Sequence, residues 1–229
     1  MITDPSILTI RRNFPRPDAG LVAAFAGVPT GFAVDAMGGR GGLDHRIKPL
    51  VAPTAPLVGI ALTCDNGPAD NLGLFGALDV ARPGDIILAA TDGYLATAIT
   101  GDLLLGMAKN CGVAGFVTDG TIRDLPGVLA VGIPVFCAGI TPNSPVRNGP
   151  GSVGIPVVLG GVRVASGDIV IADQDGVVIV PQGSAAHVLE RLADVRTAEA
   201  RMDAAVKAGL RIPDFIQALL ASDRVEELP

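Results

Sequence analysis

Residues 101–124 read GDLLLGMAKNCGVAGFVTDGTIRD, and the order of polar and apolar residues along them decides the architecture. Gly101 and Asp102 precede the run LLLGMAKN, which predicts a helix; GVAGFV predicts a buried strand closed by an Asp119-Gly120 turn. Arg123 and Asp124 follow at the start of the next helix. Helix, strand and helix in succession describe an α/β unit, whose strand-to-helix junctions share one rim of the sheet where ligands collect. Asp102, twenty intervening residues, then Arg123 and Asp124 place two carboxylates and a guanidinium at such junctions. That set suits a divalent cation beside an anionic ligand.

Outward from this stretch the same grammar continues. Residues 1–29 form an N-terminal arm and a helix through LVAAFAGV, TGFAVDAM a second short helix, and GGRGGLDHRIKPL a loop. The Gly-rich patch in that loop is a turn, because a single copy between ordered segments is not a nucleic-acid element. APLVGIALTC reads as a strand, NLGLFGALDVA as a helix, and ARPGD as a turn feeding the strand IILAA. IPVFCAG is a further strand, TPNSPVRNGPGS a polar loop, and residues 153–181 a series of short β segments. From Ser184 the pattern is helical to residue 229, so one domain covers 1–229, with helices in 184–229 available to a neighbouring subunit.

These residues carry a resemblance. The D-x20-R-D spacing, with VDAM at 34–37, VGIALT at 58–63, ARPGDIILAA at 81–90 and GGVRVASGDIVIADQDGVVIVP at 160–181, resembles the 4-hydroxy-4-methyl-2-oxoglutarate / 4-carboxy-4-hydroxy-2-oxoadipate aldolases. Those are class II, metal-dependent pyruvate aldolases, close in fold to regulators of ribonuclease E activity. The resemblance implies a layered αββα sandwich similar to the phosphohistidine swivelling domain, with C-terminal helices. It implies a homotrimer or homohexamer with the site at a subunit interface, where Glu199 of a neighbour reaches in; Glu190 competes for that role, and a solvated helix face is the plain alternative. It also implies cleavage to pyruvate plus a second 2-oxo acid, with oxaloacetate decarboxylation alongside, in aromatic-compound degradation.

Bulk properties narrow the classes. A net charge of −6 and 17 Lys and Arg among 229 residues argue against a nucleic-acid surface. No apolar stretch approaches a membrane span, and no secretory leader is expected, so the expectation is a cytoplasmic protein. Cys64, Cys111 and Cys137 lack a CxxC pair and sit in apolar context, as reduced core thiols do.

His45 and His187 stand far apart, so a metal here would be held by carboxylate oxygens and water, favouring Mg2+ or Mn2+ over zinc. Asp124 is the candidate direct ligand, and Asp102 acts through an intervening water. Alone, Asp102 would be an N-cap and Asp124 a first-turn acid. The amides at the helix start, from Gly101 through Leu103 and Leu104, can receive a carboxylate, with both leucine side chains expected in the core. Arg123 pairs with the keto acid and steadies the oxygen that becomes an enolate; its alternative is an ion pair with Asp119 or Asp124. Asp119 is read as a turn residue, Arg147 as a solvated loop cation with a distal substrate carboxylate as its alternative partner, and His187 as lacking a partner. Lys48, Lys109 and Lys207 offer no activated amine for a Schiff base. A protein-binding regulator of ribonuclease E is the competing function, while a methyltransferase lacks its GxGxxG signature.

Overall fold

Leu57–Asp65, the longest strand, shows why the chain forms layers. Successive strand residues face opposite sides: Ala61 packs into one apolar core, Leu62 and Cys64 into another. Its neighbour Asp85–Ala90 divides in the same way, with Ile86, Leu88 and Ala90 on one side and Ile87 and Ala89 on the other. Both strands are buried on two faces, as parallel strands are. The computed structural model describes residues 6–228, so the first part of the expected N-terminal arm lies outside the described residues.

The main sheet runs Leu8–Ile10, Gly151–Val153, Leu57–Asp65, Asp85–Ala90, Gly115–Thr118, Val135–Cys137 and Lys48–Pro49. The strands from Leu57–Asp65 to Val135–Cys137 are mutually parallel and end on one rim. The hairpin Ile169–Asp173 / Gly176–Val180 joins antiparallel to Leu57–Asp65. Helices Leu72–Val80, Asp102–Asn110 and Leu125–Val131 cover one face of the parallel strands. The other face meets Val170, Ala172, Val177 and Ile179 of the hairpin and the ribbon Val157–Leu159 / Val162–Val164. Ile169, Ile171, Val178 and Val180 point away from that core, against helices Thr30–Ala36 and Ala185–Lys207. Helices, strands, strands, helices: the αββα layering expected from the sequence is present, with Asp214–Leu220 as a further C-terminal helix.

Two corrections concern elements. Part of the expected arm is the strand Leu8–Ile10, paired in parallel with Gly151–Val153. Arg16 fastens the rest through a bidentate pair with the buried Asp85, at 2.5 and 2.9 Å, and stacks on Phe14. Second, Arg123 does not follow the Asp119-Gly120 turn directly. Thr121–Ile122 intervenes as the middle strand of a small parallel sheet with Ala98–Thr100 and Gly139–Ile140.

ARPGD at 81–85 and VASGD at 164–168 share a device: Asp85 accepts from the Arg82 N–H and Asp168 from the Ala165 N–H, each closing a turn before a strand. The three cysteines are free, and burial pushes the Cys64 thiol up to about 12. No helix among the described residues is long and apolar enough to cross a membrane.

Candidate active site

The small parallel sheet aims the site. Ala98–Thr100 runs into Gly101, and Thr121–Ile122 runs into Arg123, with the Arg123 N–H bonded to the Thr100 carbonyl at 3.0 Å. Two helices therefore begin side by side. Gly101 is the extended N-cap of Asp102–Asn110, and Asp124 is the N-cap of Leu125–Val131 in the left-handed region, φ 58°. An aspartate tolerates that conformation better than most residues.

The helix starts interlock. A Cβ on Gly101 would lie 2.3 Å from Asp124 Oδ2, and one on Gly127 would lie 2.3 Å from Asp102 Oδ2. Each carboxylate thus occupies space that a glycine on the other helix leaves free. Asp124 makes no side-chain bond to its own helix, so its oxygens remain turned to the cleft; Oδ2 accepts from Arg123 Nε at 3.0 Å. The ion pair considered for Arg123 exists with Asp124, while Asp119 accepts instead from Thr91 and Gly93. The Arg123 Nη1 donates to the Ser144 hydroxyl.

Asp102 Oδ1 accepts from the Leu103 N–H at 2.7 Å, which leaves the Leu104 N–H without an acceptor among the described residues. The leucine side chains also part company: Leu104 is buried, but Leu103 is 78 % exposed, contrary to the expectation of both in the core. At the first turn, position 103 faces outward and position 104 faces the sheet.

These groups line one cleft of about 200 Å³ with Asn71, Phe75, Thr100, Met107, Pro145 and Arg147. Gly101, Asp102, Leu103, Leu104, Arg123 and Asp124, from the two ends of residues 101–124, meet there. Glu199 does not line it; it is exposed on the Ala185–Lys207 helix, whose buried residues pack on the hairpin side of the molecule. Glu190 faces His187 at 3.4 Å, a partner that sequence reading did not supply. Arg147 is exposed on its loop, as expected of a solvated cation, and also lines the cleft. Asn71 was missed because an asparagine before a helix reads as an ordinary N-cap, although its side chain makes no cap bond here.

A larger cavity, about 330 Å³, is lined by Asp44, Arg46, Asp92 and Asp119. Three of these side chains are already engaged, Arg46 with Asp44, and Asp119 with Thr91 and Gly93. Arg46 holds the Asp44 carboxyl well below the usual range. Burial raises Asp119 against the opposing bonds from Thr91 and Gly93. Of these two, the smaller cleft is the one that combines carboxylates, a guanidinium and a free helix-start amide.

The chain is similar to known proteins. Residues 25–179 match the family model described as RraA-like, Aldolase/RraA. A Halalkalibacterium halodurans protein named "Putative 4-hydroxy-4-methyl-2-oxoglutarate aldolase" is 39 % identical over 74 % of this chain and 80 % of its own length. Among solved structures, Streptomyces coelicolor RraAS2, described as an unusual member of the RNase ES inhibitor RraA family, aligns with a TM-score of 0.72 at 32 % identity, covering 82 % of this chain and all of that one. A Pseudomonas syringae protein aligns at 0.71 with 27 % identity, covering 86 % of this chain and 97 % of that one. A family match over most of the chain, on a shared fold, settles the kinship: the chain belongs to the RraA-like Aldolase/RraA family.

Proposed function

We propose that the protein is a divalent-metal-dependent pyruvate aldolase. It cleaves 4-hydroxy-4-methyl-2-oxoglutarate, 4-carboxy-4-hydroxy-2-oxoadipate or both, and decarboxylates oxaloacetate as a side activity. The observation that carries this reading is the convergence of Asp102, Arg123 and Asp124 with the first turn of one helix in a single cleft. The aldolase name of the Halalkalibacterium relative supports the lyase class.

The donor set fits a hydrated hard cation. Among the described residues no three His, Cys, Asp or Glu groups converge as a closed cage. Asp124, kept off its own helix and cradled by Gly101, is the direct ligand in this reading, and Asp102 reaches the same ion through water. One or two carboxylates plus waters and substrate is the usual Mg2+ arrangement, and Mn2+ accepts it too. When bound, the cation supplies Lewis acidity at the 2-oxo group.

The chain's own residues do the rest. The Leu104 N–H donates to the substrate's C1 carboxylate at the positive end of the helix. Arg123, oriented by Asp124 and Ser144, turns its remaining N–H donors to the C2 oxygen. Asp102, helped by Glu199 from a neighbouring copy, draws the proton from the C4 hydroxyl, directly or through water. The C4–O bond becomes a carbonyl, the C3–C4 bond breaks, and its electron pair moves toward C2 and its oxygen. The resulting enolate is stabilised by Arg123 and takes a proton at C3 to leave as pyruvate. Oxaloacetate gives the same enolate on loss of carbon dioxide.

Pyruvate release from 4-hydroxy-4-methyl-2-oxoglutarate, coupled to lactate dehydrogenase, tests the proposal. Turnover should require Mg2+ or Mn2+, stop with EDTA, and fall at least a hundredfold in Asp124→Ala, on the order of losing a group that acts in the transition state. Turnover unaffected by EDTA and by Asp124→Ala would overturn it. The likeness to RraAS2 favours a second reading, a ribonuclease regulator. Inhibition of a purified ribonuclease E, with no turnover of either substrate, is the result that would support it instead.

A further inference from the structure

We propose that Arg147 is the anchor for the substrate's distal carboxylate, so that the cleft selects 2-oxo acids bearing a second carboxylate beyond C4. This rests on the aldolase reading above and adds what that reading leaves open, the residue that recognises the far end of the substrate.

Arg147 shares the cleft with Arg123, Asp102 and Asp124. Its guanidinium stands 5.3 Å from the centre of the Phe75 ring, and no acceptor or carboxylate partner for it occurs among the described residues. A guanidinium stacked on an aromatic face keeps its fork of N–H donors free for an anion. Arg123 differs: its Nε and Nη1 are engaged by Asp124 and Ser144. The cleft therefore holds one cation paired with Asp124 and one without a carboxylate partner among the described residues.

The position of Arg147 is built rather than incidental. Val146 donates to the Ala69 carbonyl and accepts from the Asn71 N–H, at 2.9 and 3.0 Å. On the other side, the Asn148 and Gly149 N–H groups both donate to Oδ2 of the buried Asp70, at 2.6 and 3.0 Å. The backbone flanking Arg147 is thus pinned to residues 69–71, directly before the helix that carries Phe75.

Asn71 adds an independent sign of a ligand. It is 3 % exposed and lines the cleft, yet its Oδ1 has no hydrogen-bond partner. Its Nδ2 donates to the Ile99 carbonyl at 3.0 Å, which fixes the amide so that the oxygen is the spare group. A buried acceptor without a donor is costly, and it calls for a hydroxyl or water. It also repels a carboxylate. The second carboxylate of a substrate is therefore steered away from Asn71 and onto Arg147, while a neutral donor suits Asn71.

The test compares 4-hydroxy-4-methyl-2-oxoglutarate with 4-hydroxy-2-oxopentanoate, which lacks the distal carboxylate, in the metal-loaded enzyme and in Arg147→Met and Arg147→Lys. Exchange of pyruvate methyl protons into deuterium oxide reports the enolate end separately. Arg147→Met should lose about ten- to a hundredfold in kcat/KM on the dicarboxylate, mainly through KM. It should keep cleavage of the pentanoate and methyl exchange within about twofold. Arg147→Lys, a point charge in place of a fork, should recover part of the loss. An equal loss on both substrates, or no loss on either, overturns the anchor. Wild-type protein that neither exchanges methyl protons nor cleaves either substrate overturns the aldolase reading itself, and the anchor with it.

Discussion

A methyl group at Gly101 would stand 2.3 Å from Asp124 Oδ2, and one at Gly127 the same distance from Asp102 Oδ2. Backbone strain is not the issue, since Gly101 is extended and Gly127 lies within a helix. Only space matters. Gly101→Ala and Gly127→Ala should each displace one carboxylate, lowering kcat at least tenfold while unfolding free energy falls by about 1–3 kcal/mol. Steady-state kinetics beside thermal melts checks this; full activity in both variants would show that the cradles do not position the carboxylates. The carboxylates and Arg123 were legible in the sequence because their spacing spans one helix and one strand. Their glycine counterparts were not, because a close approach between two helix starts leaves no mark on either segment read alone. The stacking of Arg147 on Phe75 was hidden for a similar reason: the two residues lie seventy-two positions apart.

The helix Asp102–Asn110 serves two masters. Leu104, Leu105 and Ala108 bury one face beneath the sheet, whereas Leu103 and Met107 remain outside. Leu105→Ala should cost about 2–5 kcal/mol of unfolding free energy. Leu103→Ala, at 78 % exposure, should cost no more than about 0.5 kcal/mol. Denaturant titrations distinguish them, and comparable losses would mean that Leu103 is covered in solution. Helix and strand periodicity made the larger elements readable, the fully buried Asp85–Ala90 among them. It could not reveal Ala98–Thr100, Thr121–Ile122 or Gly139–Ile140, which are too short to show a period. Those three strands are nevertheless what bring Thr100 and Arg123 together.

Across the whole molecule, three apolar cores separate four layers, and the Ala185–Lys207 helix is bound to the outermost by Ala185, Val188 and Leu192. Residues 196–207 extend roughly 18 Å beyond that contact as exposed helix. A rigid helix of this kind carries Glu199 away from the core it packs on, so a shared site needs a second copy. Asp124→Ala and Glu199→Ala proteins, each inactive alone, should regain part of wild-type turnover when refolded together. Mixtures no more active than their parents would confine the chemistry to one chain and remove Glu199 from it.

The segment bearing Arg147 has a different kind of independence. Residues 146–149 hang from the backbone and carboxylate of residues 69–71, not from the two helix starts that hold Asp102 and Asp124. In the proposed reading, the far-end anchor and the two carboxylates thereby rest on different supports. A lineage could exchange residues 146–149 and change its diet while Ser144 and the two helix starts kept their places.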